Sequence, residues 1–235
     1  MTGHLSDEGK TWTDGELLHC RACPRLVVYR ESVAQKVPPR FRSEVALFGF
    51  WGRPVPGFGD MEAWLAVVGL APAAFGANRT GRMFTGDRSG EFLYAALWRA
   101  GFANRPESRH RGDGLCLKGV FITAALRCAP PRNKPLPEEL AACRRFLAKD
   151  LASLTKLKVI LALGRIAHDA VWAVVAPKAR PKPRFAHGGV LRLPNGLWLV
   201  DSYHVSQQNT FTGRLTASAF DTILTRCREL AGREG

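Results

Sequence analysis

Apolar residues concentrate in four short runs, at residues 64–70, 120–126, 158–163 and 197–202, each bounded by Gly, Pro or polar residues. None alternates strictly with polar residues, which is the pattern of parallel strands covered on both faces. Helical patterns lie between them. Residues 89–100 place Phe92, Leu93, Ala96, Leu97 and Ala100 on one face. Residues 137–154 open with Pro137, Glu138 and Glu139, which suit a first helical turn. Residues 165–175 follow a strand through Gly164, and residues 215–230 close the chain. This alternation predicts one α/β domain over residues 1–235 with a mainly parallel sheet, the first 15 or so residues being extended. Residues 38–59, rich in Phe, Gly and Pro, read as irregular. Residues 177–184 alternate Pro with Lys and Arg and predict an extended basic loop, either a connector or a phosphate contact.

The 235 residues are 46% hydrophobic and 23% charged, which excludes a disordered chain. No stretch approaches the 18 or so apolar residues of a membrane span. Residues 1–12 carry Asp7, Glu8 and Lys10 without an apolar segment, so a cytoplasmic protein without a secretory signal is expected. Lys plus Arg total 34 and Asp plus Glu 20, a net charge of +14. Arg supplies 25 of these cations, and its fork fits phosphate oxygens. No basic amphipathic helix stands out, so the charge favours nucleic acid over a membrane surface.

Six cysteines bring in candidate metal chemistry: Cys20, Cys23, Cys116, Cys128, Cys143 and Cys227. In a reducing compartment a disulfide framework explains them poorly. Cys20-Arg21-Ala22-Cys23 has a C-x-x-C spacing, shared by zinc sites, iron–sulfur sites and redox dithiols. Pro24 follows, as proline follows the last ligand of the bacterial ferredoxin run. Cys128 and Cys143 are either two further ligands or ordinary buried thiols, and spacing leaves both open. Cys116 and Cys227 have no partner at metal-like spacing.

Ligands of parallel α/β sheets bind outside the carboxyl ends of the strands. There the chain places a long loop with Gly76, Gly81 and Gly86, then Arg127 to Pro135, then Tyr203 to Arg214, all rich in polar, aromatic and basic residues. These residues carry a resemblance. Gly69-Leu70-Ala71-Pro72-Ala73-Ala74, Asn78-Arg79-Thr80-Gly81-Arg82 and Phe84-Thr85-Gly86-Asp87 resemble the first motif of the family-5, or type B, uracil-DNA glycosylases. His204-Val205-Ser206-Gln207-Gln208-Asn209 with Thr212-Gly213-Arg214-Leu215-Thr216 resembles the closing motif. Cys20 and Cys23 with Pro24-Arg25, together with Cys128 and Cys143, are similar to the four [4Fe–4S] ligands of family-4 and family-5 enzymes. The resemblance covers roughly residues 16–227.

The resemblance implies a three-layer α/β/α sandwich around a four-stranded parallel sheet. It implies a repair enzyme that removes uracil, and also hypoxanthine and xanthine, from double-stranded DNA, and a monomer is expected. It implies a structural [4Fe–4S] cluster on Cys20, Cys23, Cys128 and Cys143, with Arg21, Arg25 and Arg127 offsetting its negative charge. Leu70 stands where family-4 enzymes carry a glutamate, and Ala124-Ala125 where they carry an Asn. Both departures fit type B. Val205 stands where many relatives have Pro.

A glycosylase must flip its base out of the stack and hold it while the bond to the sugar breaks. Phe84 is the expected stacking platform, with a core Phe as the alternative. Gly69, Ala71 and Ala73 are expected to line the base site with it. His204 is expected to donate to the base oxygen as negative charge develops. Asn133 is expected to read the base edge, or else to serve as a turn residue beside Pro135. Asp87 either orients the attacking water or caps the following helix, and the two roles are compatible. Gln207, Gln208, Asn209 and Phe211, beside Ser206, form the expected duplex wedge, with Arg214 on a phosphate. Asn78, Arg79 and Arg82 are expected to hold the DNA backbone. Competing readings are a uracil-only glycosylase, a non-catalytic nucleic-acid-binding module with a structural metal, and an iron–sulfur redox protein.

Overall fold

The computed structural model describes residues 15–179 and 181–232. The expected extension of the N-terminus lies outside the described residues, as does Arg180 of the basic loop. The strands are β1 Phe58–Gly59, β2 Leu65–Gly69, β3 Val120–Ala124, β4 Val159–Leu163, β5 Val190–Arg192 and β6 Trp198–Ser202. The helices are α1 Gly15–Leu18, α2 Pro24–Gln35, α3 Arg42–Phe48, α4 Ala77–Thr80, α5 Arg88–Arg99, α6 Pro137–Ser153, α7 Arg165–Val175, α8 Gln207–Phe211 and α9 Ala217–Ala231.

The four apolar runs form the parallel centre of the sheet, in the order β3-β2-β4-β6. The expected four-stranded sheet is corrected to six strands, because β1 adds antiparallel to β3 and β5 adds antiparallel to β6. Strands of two and three residues carry no periodic signal, and β5 is too exposed to read as an apolar run. Strands β2, β3 and β4 are buried along their whole length, which accounts for their apolar sequences, broken only by Thr123, whose hydroxyl donates to Asp150.

Alternate residues feed two cores. Leu65, Val67, Ile122, Leu161 and Val200 pack with Leu93 and Leu97 of α5 and Phe220 and Leu224 of α9. Ala66, Val68, Phe121, Ile160 and Leu199 pack with Leu147 and Leu151 of α6 and Val171 and Trp172 of α7. The chain moves from β2 outward to β3, then back across β2 to β4 and on to β6. Right-handed crossovers require helices on opposite faces when that direction reverses, which separates α5 from α6 and α7. The reversal opens a crevice at the carboxyl ends of the central strands.

The N-terminal third was less regular in expectation than in fact. Residues 38–59 hold α3 and β1, and α3 buries no residue, so it leaves no apolar stripe in the sequence.

Candidate active site

One cavity of about 420 Å³ lies beyond these strand ends, and its lining includes Ala71, Ala73, Phe84, Asp87, Asn133, His204, Ser206 and Gln208. Its size is that of a small-molecule site. It joins the loops after β2, β3 and β6, so three distant stretches of sequence meet there. Leu70, Met83, Ser89, Arg132 and Lys134 also line it and were not anticipated. The basic pair beside Asn133, in a run of prolines, was the available signal for the last two.

Phe84 is half-buried and holds a left-handed backbone, φ 53°. For a bulky residue that conformation costs about 1–3 kcal/mol, so its surroundings must impose it. Its carbonyl neighbour Met83 accepts from the Tyr94 hydroxyl at 2.7 Å. Its ring lies over Gly69, where a Cβ would stand 2.6 Å from Phe84 Cζ. Gly69 therefore admits the ring and does not itself line the cavity. The ring centroid is 6.0 Å from that of His204.

Of the two alternatives for Asp87, the structure shows the helix cap. Asp87 caps α5, its Oδ1 accepting from Gly90 N at 3.0 Å, and it lines the cavity. Burial raises its pKa, against the Gly90 and Ser89 amides and the Arg79 charge, which lower it. Its Oδ2 lies against Gly76, where a Cβ would stand 2.2 Å away.

His204 follows β6 through Tyr203. Burial pushes its pKa down to about 4, so the ring is neutral at pH 7. Among the described residues its ring nitrogens have no hydrogen-bond partner, which leaves them for a ligand. Asn133 and Arg132 both take left-handed backbones, each at φ 56°, in a turn that carries their exposed side chains to the cavity mouth. Asn tolerates this conformation better than most residues.

Three expected DNA contacts are corrected. Asn78 is fully buried and donates to the Ala74 carbonyl at 3.2 Å. Arg79 is buried, pairs with Glu44, and donates to the carbonyls of Phe75 and Gly86 at 2.8 and 3.2 Å. Arg82 is buried, pairs with Asp113 at 2.8 Å and donates to Ser108 at 2.9 Å. These side chains stitch the loop after β2 from within, because each is consumed by a partner on the protein.

The closing segment divides. Gln207, Gln208 and Phe211 are exposed, with Phe211 under the Arg88 guanidinium at 5.4 Å. Ser206 precedes α8 and faces the cavity. Asn209 turns inward instead of toward a duplex, donating to the His204 carbonyl at 2.7 Å. Arg214 is exposed and stacks over Tyr203 at 4.1 Å.

Cys20, Cys23, Cys128 and Cys143 line a second, apolar cavity with Leu17, Leu26, Leu126 and Phe146. Burial pushes Cys128 up to about 11, opposed by Arg30, and Cys143 up to about 12, opposed by Arg127. Arg21, Arg25 and Arg127, expected to balance charge here, are paired with Glu31, Glu139 and Asp150. Arg30, not anticipated, donates to Cys128 Sγ at 2.9 Å and is 3% exposed. Among the described residues, no three His, Cys, Asp or Glu side chains stand in position to hold a metal ion.

A model of the uracil DNA glycosylase superfamily matches residues 56–228, which include every strand of the sheet. The chain belongs to this superfamily. It is 52% identical over 216 residues to a type-5 uracil-DNA glycosylase of Thermus thermophilus, covering 92% of this chain and 95% of the relative. It is 42% identical over 224 residues to a type-5 uracil-DNA glycosylase of Pyrobaculum aerophilum, covering 94% of each. A type-4 uracil-DNA glycosylase of that organism is 36% identical over 126 residues, 53% of this chain and 56% of the relative. No helix among the described residues is long and apolar enough to cross a membrane.

Proposed function

We propose that this protein excises uracil from double-stranded DNA by N-glycosidic hydrolysis, leaving an abasic site, and that it also accepts hypoxanthine and xanthine. The observation that carries this reading is the single cavity that gathers an aromatic face, a carboxylate, a neutral imidazole and a carboxamide beyond the strand ends. Phe84 stacks on the flipped base. As the bond to C1′ breaks, the base leaves with negative charge and the sugar becomes cationic. The neutral His204 donates a hydrogen bond to the base oxygen, and Asp87 faces the cationic sugar and orients the water that adds to C1′. Asn133 pairs with the base edge.

The broader base range rests on what the walls lack. Leu70 lines the cavity and Ala124 is buried at the end of β3, and neither side chain can make a hydrogen bond to uracil. A site rejects a different base strongly only when that base leaves built-in polar groups unpaired. The matches to type-5 uracil-DNA glycosylases over nearly the whole chain support the uracil activity.

Cys20, Cys23, Cys128 and Cys143 would hold a [4Fe–4S] cluster. The donor set fits: four thiols face one apolar cavity, and the buried Arg30, with no carboxylate nearer than Glu31 at 4.0 Å and its Nε unpartnered, would gain anionic thiolates as counter-charge. A cubane binds each thiolate through a different iron, so its ligands need not converge as a single ion demands. When bound, the cluster supplies structural cross-linking of α2, the loop after β3 and α6.

Duplexes with one labelled uracil, hypoxanthine or xanthine test the reading. Alkali-sensitive sites are expected at all three bases. No product at any of them leaves a non-catalytic binding protein, and product at uracil alone overturns the broad range. Purified protein is expected to be brown with about four irons per chain. A colourless zinc form refutes the cluster.

A further inference from the structure

The last residue of β6, Ser202, is followed by Tyr203 and His204, and the peptide groups there are pinned from three sides. Ser202 Oγ donates to the Tyr203 carbonyl at 3.0 Å. Asn209 Nδ2 donates to the His204 carbonyl at 2.7 Å. The Tyr203 amide donates to His187 Nδ1 at 3.1 Å. A backbone amide can only donate, so His187 Nδ1 is an acceptor and the ring's proton sits on Nε2. The same imidazole stacks on the Tyr203 ring, with centroids 4.4 Å apart and planes within 14°.

The segment that carries His187 has a firm mount. His168 of α7 bonds Asp201 Oδ1 through Nδ1 at 2.9 Å and the Pro183 carbonyl through Nε2 at 3.1 Å. Gly188 N donates to the Asp201 carbonyl at 2.9 Å, and Asp201 N donates to the Gly189 carbonyl at 2.9 Å. Residues 183–189 are thereby laced to β6 immediately before the catalytic strand end. Burial and the nearby Arg214 charge both lower the His187 pKa, which keeps its acceptor nitrogen free of a second proton.

We propose that His187 is a positioning residue for base excision: its Nδ1 fixes the Tyr203 peptide and so aims His204 at the flipped base. His187 does not line the cavity, and it acts on the reaction through Tyr203. The inference rests on the excision reading above. A misplacement of about 1 Å at a reacting group can cost about a hundredfold in rate, so a lost backbone anchor one residue from His204 is a kinetic lesion.

Two variants separate the acceptor from the stack. His187→Phe keeps an aromatic ring on Tyr203 and removes the acceptor. His187→Asn removes the ring and offers a carboxamide oxygen near the former Nδ1. Single-turnover excision of uracil from a duplex, by the holoenzyme, reads the chemical step, and duplex affinity is measured beside it. His187→Phe is expected to slow the step by about tenfold or more with affinity unchanged, and His187→Asn to recover most of the loss. Amide hydrogen exchange at Tyr203 is expected to accelerate in the Phe variant and not in the Asn variant. Wild-type rates in His187→Phe, or equal losses in both variants, overturn the inference. Wild-type protein that releases no base overturns the excision reading instead, while the exchange measurement still tests the anchor.

Discussion

The neutral state of His204 has a thermodynamic signature that can be measured without substrate. In the unfolded chain the imidazole titrates at its ordinary value of 6.5, whereas burial holds it down to about 4 in the fold. A depressed histidine pKa means that the unfolded state takes up a proton first. Stability is therefore lost as pH falls from 6.5 towards 4, and the term is constant above and below that window. At about 1.4 kcal/mol per pKa unit, the difference amounts to about 3 kcal/mol when complete and about 2 kcal/mol at pH 5. His204→Gln removes the titration and keeps a polar side chain of similar reach. Urea unfolding of both proteins at pH 7.5 and pH 5.0 isolates the effect, because every other acid-labile group is shared. The wild type is expected to lose about 2 kcal/mol more than the variant between the two pH values. Parallel losses would mean that the ring is hydrated and charges normally near pH 6.5. A cationic His204 in mild acid would then undo the argument that a neutral donor meets the leaving base.

Asp87→Asn preserves a good helix cap, so stability is expected to change by less than about 0.5 kcal/mol while excision falls by more than about tenfold. Asp87→Ala is expected to lose the rate and, in addition, about 1 kcal/mol of stability; a near-wild-type rate in Asp87→Asn would leave a cap only. Because burial raises the Asp87 pKa, the acid limb of the excision profile is expected at higher pH than an ordinary carboxylate would give. Gly76→Ala puts a Cβ 2.2 Å from the Asp87 Oδ2 position and is expected to depress excision by moving the carboxylate, with the cap contact of Oδ1 retained. Arg82→Ala leaves the buried Asp113 carboxylate with backbone amide donors alone and is expected to destabilise the fold by about 2 kcal/mol, read as a lower urea midpoint, with the salt dependence of DNA binding unchanged.

The sheet's centre was legible because β2, β3 and β4 are covered on both faces, and such burial demands apolar side chains at nearly every position, while β6 opens on Trp198, Leu199 and Val200 before its polar end. The place of the site was legible for a topological reason, since parallel strands bring successive carboxyl-end loops together wherever their helices lie. Partners across the chain were not legible. An arginine in a glycine-rich loop looks the same in sequence whether it meets a phosphate or, as Arg82 does, a carboxylate 31 residues away. Asn209 presented the same ambiguity, and its inward turn depends on the φ and ψ angles of a five-residue helix. His187 had no local signal, because its contacts with Tyr203 join residues 16 apart in sequence.

These placements change what the net charge of +14 means. Arg30, Arg79, Arg82 and Arg127 are each 3% exposed or less, so none is free to release a counterion from DNA. Arg82 and Arg127 pair with the buried carboxylates of Asp113 and Asp150, Arg79 pairs with the half-buried Glu44, and Arg30 rests on a cysteine sulfur. Exposed cations at the cavity are Arg132 and Lys134, which line it, while the exposed Arg88 follows the lining residue Asp87 and the exposed Arg214 stacks on Tyr203 beside His204. Each phosphate met changes the logarithmic salt slope of duplex binding by about 0.9. The slope therefore counts the cations at the mouth, and the buried arginines contribute to excision only through the geometry they hold. Affinity and chemistry are thus assigned to two separate sets of basic residues, one set by solvent exposure and the other by burial against carboxylates and a thiol.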